Sequence, residues 1–292
     1  MWSFPYYLIG VALVGLLSSP GRAAPGEAWL VLLPLIYLVH FFVGLKWHKN
    51  SAAVGDDSNA LLPRAARAFV TVVVAAGAVL LVAVALDWQC RNPARFVTYL
   101  ALTMFASTLK IRLPRMCGTL TPSFVLVLAV IADLSLAETA VTAAVGGMVQ
   151  VLWRSKQRPT LAQVLFNPAC MALSAGLAYV LCRVVLAPWL GNSVVGVLVV
   201  STIAMYGCNA ALLAMVLALA ERKPLSSAWQ LCSFWSLPYY LVGAAVASIM
   251  MATSRTAQWP ASLLVLPIMG LVYVSYRVQV QQAVDRVGQV AA

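Results

Sequence analysis

The sequence predicts an all-α fold: a polytopic transmembrane helical bundle of about ten spans, with both termini on the cytoplasmic side and a repeated two-helix hairpin at each end. Three observations predict it. The chain of 292 residues is 63% hydrophobic and 9% charged, whereas a soluble domain carries about 25% charge; the mean hydropathy is +0.92. Its apolar residues fall into runs close to the ~20 that a helix needs to cross a ~30 Å hydrocarbon core. Its cationic residues gather in alternate connections between those runs, as Lys and Arg do in short cytoplasmic loops.

The runs lie at 4–19, 28–45, 66–86, 95–109, 122–136, 138–153, 161–186, 193–220, 229–252 and 261–277. They are expected to be helical because every backbone N–H and C=O in lipid must find its partner within the segment or barrel. The first begins at Pro5-Tyr6-Tyr7, an interfacial aromatic anchor with no basic residues ahead of it, so no cleavable signal peptide is expected. The fifth and sixth are short and separated only by a turn near Leu136–Ala137, which suits a tight hairpin or a re-entrant pair.

Charge then orients the spans. With a cytoplasmic start, the inside receives 14 basic residues: Lys46, Lys49, Arg64, Arg67, Lys110, Arg112, Arg115, Arg154, Lys156, Arg158, Arg222, Lys223, Arg277 and Arg286. The outside receives five, Arg22, Arg91, Arg95, Arg183 and Arg255. The net charge of +11 is therefore a topology signal, spread over several loops with no single basic and aromatic stripe, and no nucleic-acid partner is expected. Membrane lipids are the expected partners of these loops.

Residues 2–39 and 235–272 align without a gap at 16 of 38 positions, including Pro5/Pro238, Tyr7/Tyr240, Gly10/Gly243, Arg22/Arg255 and Pro34/Pro267. The chain accordingly divides into an N-terminal hairpin (1–45), a cytoplasmic loop (46–65), a central six-span bundle (66–234), a second copy of the hairpin (235–278) and a cytoplasmic helical tail (279–292). By parity the two copies run parallel, and only the end hairpins match, so a full two-fold transporter is not implied. In the tail, Val280, Val284 and Val287 form a short apolar stripe suited to a cytoplasmic partner or a homodimer.

Chemistry on this chain is not expected. The six cysteines include no C-x-x-C, only two histidines occur, and neither has a second ligand nearby, so no metal site or cofactor is expected. No nucleophile elbow, phosphate loop or H-E-x-x-H motif is present, and the chain reads as a non-enzyme. Polar residues within spans are the candidates for ligand binding, because charge at mid-bilayer is costly. Asp133 and Glu138 flank the turn between spans five and six, either as an acidic mouth or as solvated turn residues, Glu138 favoured there by the helix dipole. Asn167 precedes Pro168, where an amide either binds a ligand or re-pairs backbone groups freed at a kink. Asn209 sits mid-span beside Gly207, Cys208 and Ala210, a setting for interhelical bonding or for a ligand. Lys110, Arg112 and Arg115 precede Gly118-Thr119-Leu120-Thr121-Pro122-Ser123, and this group reads as lipid-headgroup anchors beside an N-cap, or as an anion site.

Three segments carry a resemblance. Lys110-Ile111-Arg112-Leu113-Pro114 followed by Gly118-Thr119 and Ser123-Phe124, Ser135–Thr139, Arg158-Pro159 with Val164–Asn167, and Pro238-Tyr239-Tyr240 with Tyr276-Arg277 make residues 95–280 resemble the membrane-embedded N-terminal sensor region of bacterial HD-GYP-type cyclic-di-GMP phosphodiesterases and related diguanylate cyclases. The resemblance implies a multi-pass sensor or scaffold module of the bacterial inner membrane, responding to a small-molecule ligand and lacking the catalytic half of such proteins. The alternative is a small-solute transporter or permease subunit with a polar cavity among Asp133, Glu138, Asn167 and Asn209. Reporter tags inserted at Gly55 and at Ala257 are expected on opposite faces of the membrane; detection of both on one face would overturn the even-span topology.

Overall fold

In the computed structural model the described residues are 63–112, 119–153 and 159–257, apart from positions 87, 89, 91 and 192, with isolated positions at 267, 270, 274 and 278. They form α1 (Arg64–Leu86), α2 (Pro93–Thr108), β1 (Ile111–Arg112), β2 (Thr119–Leu120), α3 (Ser123–Asp133), α4 (Leu136–Leu152), α5 (Leu161–Val180) continued by a π-helical turn (Leu181–Val185), α6 (Ala187–Leu190), α7 (Val194–Glu221) and α8 (Leu225–Ala257). The architecture is helical. The only strands among the described residues are two residues each, antiparallel, with Ile111 opposite Leu120 and Arg112 opposite Thr119.

Seven of the ten expected spans fall on described residues, and each is a helix there. Arg64–Leu86, Leu161–Val185 and Val194–Glu221 are long and apolar enough to cross a membrane, which places the chain among membrane proteins. The helices Ser123–Asp133 and Leu136–Leu152 and the apolar part of α8, Tyr240–Ser254, are shorter. At 1.5 Å per residue α3 rises only about 16 Å, roughly half a hydrocarbon core, so α3 alone does not span. The spans at 4–19 and 28–45, the span at 261–277 but for isolated positions, and the tail lie outside the described residues, as does the first hairpin copy. The second copy begins inside a helix: α8 runs unbroken through the expected boundary at 234/235.

The centre of the bundle is α3. Residues Ser123 to Ile131 are all buried, and the helix touches α2, α4, α5, α7 and α8. A helix that is apolar on every side needs such a surround. In lipid, however, apolar side chains gain little by leaving the solvent, so association relies on close packing and hydrogen bonds, and small residues mark the contacts. Gly77 of α1 meets Ala169 of α5 so closely that a Cβ there would lie 2.6 Å from the Ala169 Cβ. Gly147 of α4 abuts Asn167 and Pro168 of α5, with 3.2 Å between a built Cβ and the Pro168 Cα. The ring of Phe124 lies over Gly243 of α8, only 1.8 Å from where a Cβ would stand.

The expected N-cap of span five takes another form. Thr119 and Leu120 pair in the short ladder, the cap position is Pro122 with no side-chain cap hydrogen bond, and the Thr121 and Ser123 hydroxyls bond each other at 2.8 Å. Proline has no hydroxyl to offer an exposed helix N–H, so those hydroxyls are used side by side. Pro168 is accommodated inside α5, which continues past it to Val180.

Gly77→Ala is expected to lower the stability of the detergent-solubilised chain by about 1–3 kcal/mol through overpacking. Gly207→Ala, where nothing lies within 4 Å of the new methyl, should be neutral or slightly stabilising. Thermal midpoints of the two variants measured side by side check this.

Candidate functional site

The most polar construction in the bundle is a turn. α3 ends at Asp133, Leu134 closes it by donating its N–H to the Val130 carbonyl at 2.8 Å, and Ser135 opens α4 with a reciprocal cap. The Glu138 backbone N–H donates to Ser135 Oγ at 3.3 Å, while Glu138 Oε2 accepts from the Ser135 N–H at 2.9 Å and from its hydroxyl at 2.8 Å. Ser-x-x-Glu satisfies donors at a helix start that lipid cannot satisfy. Glu138 is thereby buried, at 2% exposure.

Two arginines hold this turn. Arg95 is placed one turn into α2 by Asn92, whose side chain accepts the Arg95 backbone N–H at 3.1 Å, and by Pro93 at the first helical position. Its guanidinium donates to Asp133 Oδ2 and, at 3.0 Å, to Ser254 Oγ of α8. Tyr99, one turn further along α2, donates its hydroxyl to the same carboxylate oxygen at 3.3 Å and lies under the guanidinium, 5.8 Å from ring centroid to Cζ. Arg183 reaches in from the π-helical turn after α5 and donates to the Ala132 carbonyl at 2.6 Å. That widened turn closes with the Leu186 N–H donating to the Leu181 carbonyl at 2.8 Å, an i to i+5 bond of the kind that often occurs at functional positions. The turn thus joins α2, α5 and α8. Beside it lies a cavity of about 40 Å³ bordered by Ala132, Arg183, Ser193 and Met251 among others, room for a water or two and no more.

Cys90, in the connection between α1 and α2, sits beside the Glu138 carboxylate. Hydrogen bonding to that carboxylate, partial desolvation and its negative charge push the thiol pKa above the ordinary value, so the thiol is the less reactive form of a cysteine.

A second polar layer lies deeper. Asn209 of α7 donates its amide to the Tyr240 hydroxyl at 3.3 Å and accepts from the Cys170 thiol at 3.3 Å. The Tyr240 ring packs on Phe124 at 4.7 Å and edge-on to Tyr206 at 5.3 Å, which links α3, α5, α7 and α8. Asn167 donates to the Gly147 carbonyl of α4 at 2.7 Å.

The four expected ligand residues are therefore not brought together. Asp133 and Glu138 form no common acidic mouth: Asp133 is paired with Arg95, and Glu138 turns back onto its own helix start. Asn167 bonds the backbone of a neighbouring helix instead of the group freed in its own by Pro168, because α4 passes within reach at Gly147. Asn209 takes the interhelical role. At the opposite end of the bundle Lys110 donates to the Trp153 carbonyl, Arg112 stands in β1, and Arg115 lies outside the described residues. Among the described residues no three His, Cys, Asp or Glu side chains converge as metal ligands would.

Tyr99, Ser254 and Cys170 were not singled out by the sequence, Arg95 and Arg183 entered only as topology charges, and Tyr240 only within the repeated hairpin and the resemblance. For the arginines a signal existed, since both are among the five basic residues that charge alternation assigns to the outer side, where a positive charge needs a local reason. For Glu138 the signal was the Ser135-x-x-Glu138 spacing. No family model, characterised protein or solved structure matches the chain.

In a double-mutant cycle, Arg95→Ala and Asp133→Ala are each expected to cost about 1–3 kcal/mol, below the 3–5 of fully buried pairs, since the side chains are 19% and 14% exposed. The double variant should lose less than the sum, by at least about 0.5 kcal/mol. Thermal unfolding of the four proteins checks it; simple additivity would mean the pair does not hold the turn.

Proposed function

We propose that the chain is an integral membrane sensor or scaffold module, non-catalytic in itself, that crosses the bacterial inner membrane about ten times with both ends inside. The observation that carries this reading is how the intramembrane polar groups are used. Asp133, Asn167 and Asn209 each bond another helix or its neighbour's side chain, which suits a device that keeps helices in register. The clamped turn touches α8 through Arg95 and Ser254. A ligand that altered the Arg95–Asp133 pair from outside would shift α8, and the shift would be felt at the Leu225 end of that helix, which topology assigns to the cytoplasm. There a partner protein or a second copy would read it.

The motif resemblance to the input region of cyclic-di-GMP signalling proteins supports the sensor role, and the alternation of basic and non-basic connections supports the orientation. A small-solute transporter is the second reading. It draws support from the buried hydroxyls of α2 and α4, since unpaired polar groups inside a bundle suit a polar passenger.

Purified chain in proteoliposomes, offered a panel of small solutes, tests the two readings. The sensor reading expects one class of solute to raise the thermal midpoint, expects Asp133→Asn to abolish that shift, and expects no accumulation above empty vesicles. Accumulation that is lost in Asn209→Leu would replace the sensor with a transporter.

A further inference from the structure

The helices α2 and α4 are amphipathic in the inverse sense of soluble helices. On α2, Val97, Met104 and Phe105 face outward and are exposed, while Tyr99, Thr103 and Ser107 are buried. On α4, Met148 and Leu152 are exposed while Glu138, Thr139 and Thr142 are buried. The spacing 95, 99, 103, 107 keeps Arg, Tyr, Thr and Ser on one stripe of α2, with Lys110 just past its end. The spacing 135, 138/139, 142, 146, 150 keeps Ser, Glu/Thr, Thr, Gly and Gln on one stripe of α4.

The two stripes meet. The helices run parallel, since Arg95 bonds Asp133 just before α4 begins and Lys110 bonds the Trp153 carbonyl just after it ends. Between those contacts Gly146 lets them close: a Cβ there would stand 2.9 Å from Thr103 Cγ2 and 3.3 Å from Ser107 Oγ. The seam is therefore polar from one end of the bundle to the other.

Its hydroxyls behave unlike most of the others, Ser174 of α5 being a further buried hydroxyl without a partner away from the seam. Thr71, Thr98, Thr202, Ser248 and Thr253 each donate to the carbonyl one turn back, at 2.6–3.0 Å, the usual resting place of a hydroxyl in a membrane helix. Thr103, Ser107, Thr139 and Thr142 do not: all are 0% exposed, and none of their hydroxyl oxygens has a hydrogen-bond partner. A buried unpaired hydroxyl costs about 1–3 kcal/mol. Four on one seam, with the back-bonding alternative available to each, mark a surface whose partner is something other than protein.

We propose that the α2–α4 seam is a hydrated path that takes water and small cations of similar size, entered beside Glu138 and running inward to Ser107. The Glu138 carboxylate at its mouth favours cations over anions, and a row of neutral oxygen donors suits a hard cation or a water chain. The path begins at the Ser135–Glu138 cap of the clamped turn and does not depend on the sensor reading.

Cysteine accessibility tests it on the full chain in proteoliposomes. Thr103→Cys, Ser107→Cys and, as a dry control, Ala129→Cys in the middle of α3 are exposed to the cationic reagent 2-aminoethyl methanethiosulfonate, and labelling is read position by position by mass spectrometry. Thiolate is the reacting form and needs water, so positions 103 and 107 are expected to react at least about tenfold faster than position 129. The anionic sulfonatoethyl analogue should be slower at both. Equal rates at 103, 107 and 129 would overturn the path. Thr142→Val gives a second readout that needs no new thiol. In a hydrated seam the loss of the hydroxyl lowers the thermal midpoint, whereas a rise would mean the seam is dry and the proposal wrong.

Discussion

Lipid supplies no hydrogen-bond partner, and this constraint orders the whole bundle. In water a polar side chain at a helix contact trades one partner for another; in hydrocarbon it has a protein partner, a water or a penalty. The consequence is visible wherever the described helices meet. Asn167 is matched to Gly147, Asn209 to Tyr240 and Cys170, and Asp133 to Arg95 and Tyr99. Each bond joins different helices, so each fixes a relative position as well as an energy. Such bonds are individually modest, roughly 0.6–2 kcal/mol inside membranes. Their worth here lies in specifying which of many greasy surfaces lie together.

The second determinant is steric, and it sets where those bonds can form. Among the three long apolar helices α5 is the most enclosed, and it presents Ala169, Ala172, Ala175, Gly176 and Ala178 to its neighbours, all buried. Without the close approach of Gly147 to the Asn167–Pro168 region, the Asn167 amide would not reach a carbonyl on α4. Without Gly243, the Phe124 ring would have no seat on α8, and Tyr240 would lose the face it packs on. Small residues and polar residues therefore act together: the first bring backbones near, and the second use the nearness.

The helices were legible in the sequence because hydrocarbon demands them. Runs at 66–86, 161–186 and 193–220 match α1, α5 with its π turn, and α7 to within a few residues. Less legible was the depth to which each run reaches. The segment 122–136 reads as a span by composition, but α3 is an 11-residue helix buried on all sides. Hydropathy does not distinguish a helix surrounded by lipid from one surrounded by other helices. The candidate site was legible in part: Asp133, Asn167 and Asn209 stand out as polar letters in apolar text. Their partners did not, because Arg95 is 38 positions from Asp133 and Tyr240 is 31 from Asn209, and a single sequence carries no sign of such pairings. Glu138 was legible through its helix-start role, which the reciprocal Ser135–Glu138 cap fills.

The same constraint distinguishes two kinds of polar residue that the sequence cannot tell apart. Asn209 and Thr142 are both polar residues inside apolar helices, yet Asn209 is matched on both its donor and its acceptor side while the Thr142 hydroxyl has no partner. If polarity in this chain served only to hold helices together, Thr103, Ser107, Thr139 and Thr142 would cost more as they stand than Ala or Val at the same places. Threonine also forgoes helix propensity relative to alanine, by up to about 0.7 kcal/mol per residue. Four such choices, aligned on facing stripes of two parallel helices and terminated by Glu138 at one end, do not follow from packing. They follow from a need for oxygen atoms along that line, and the matched residues elsewhere in the bundle are what keep the line in place.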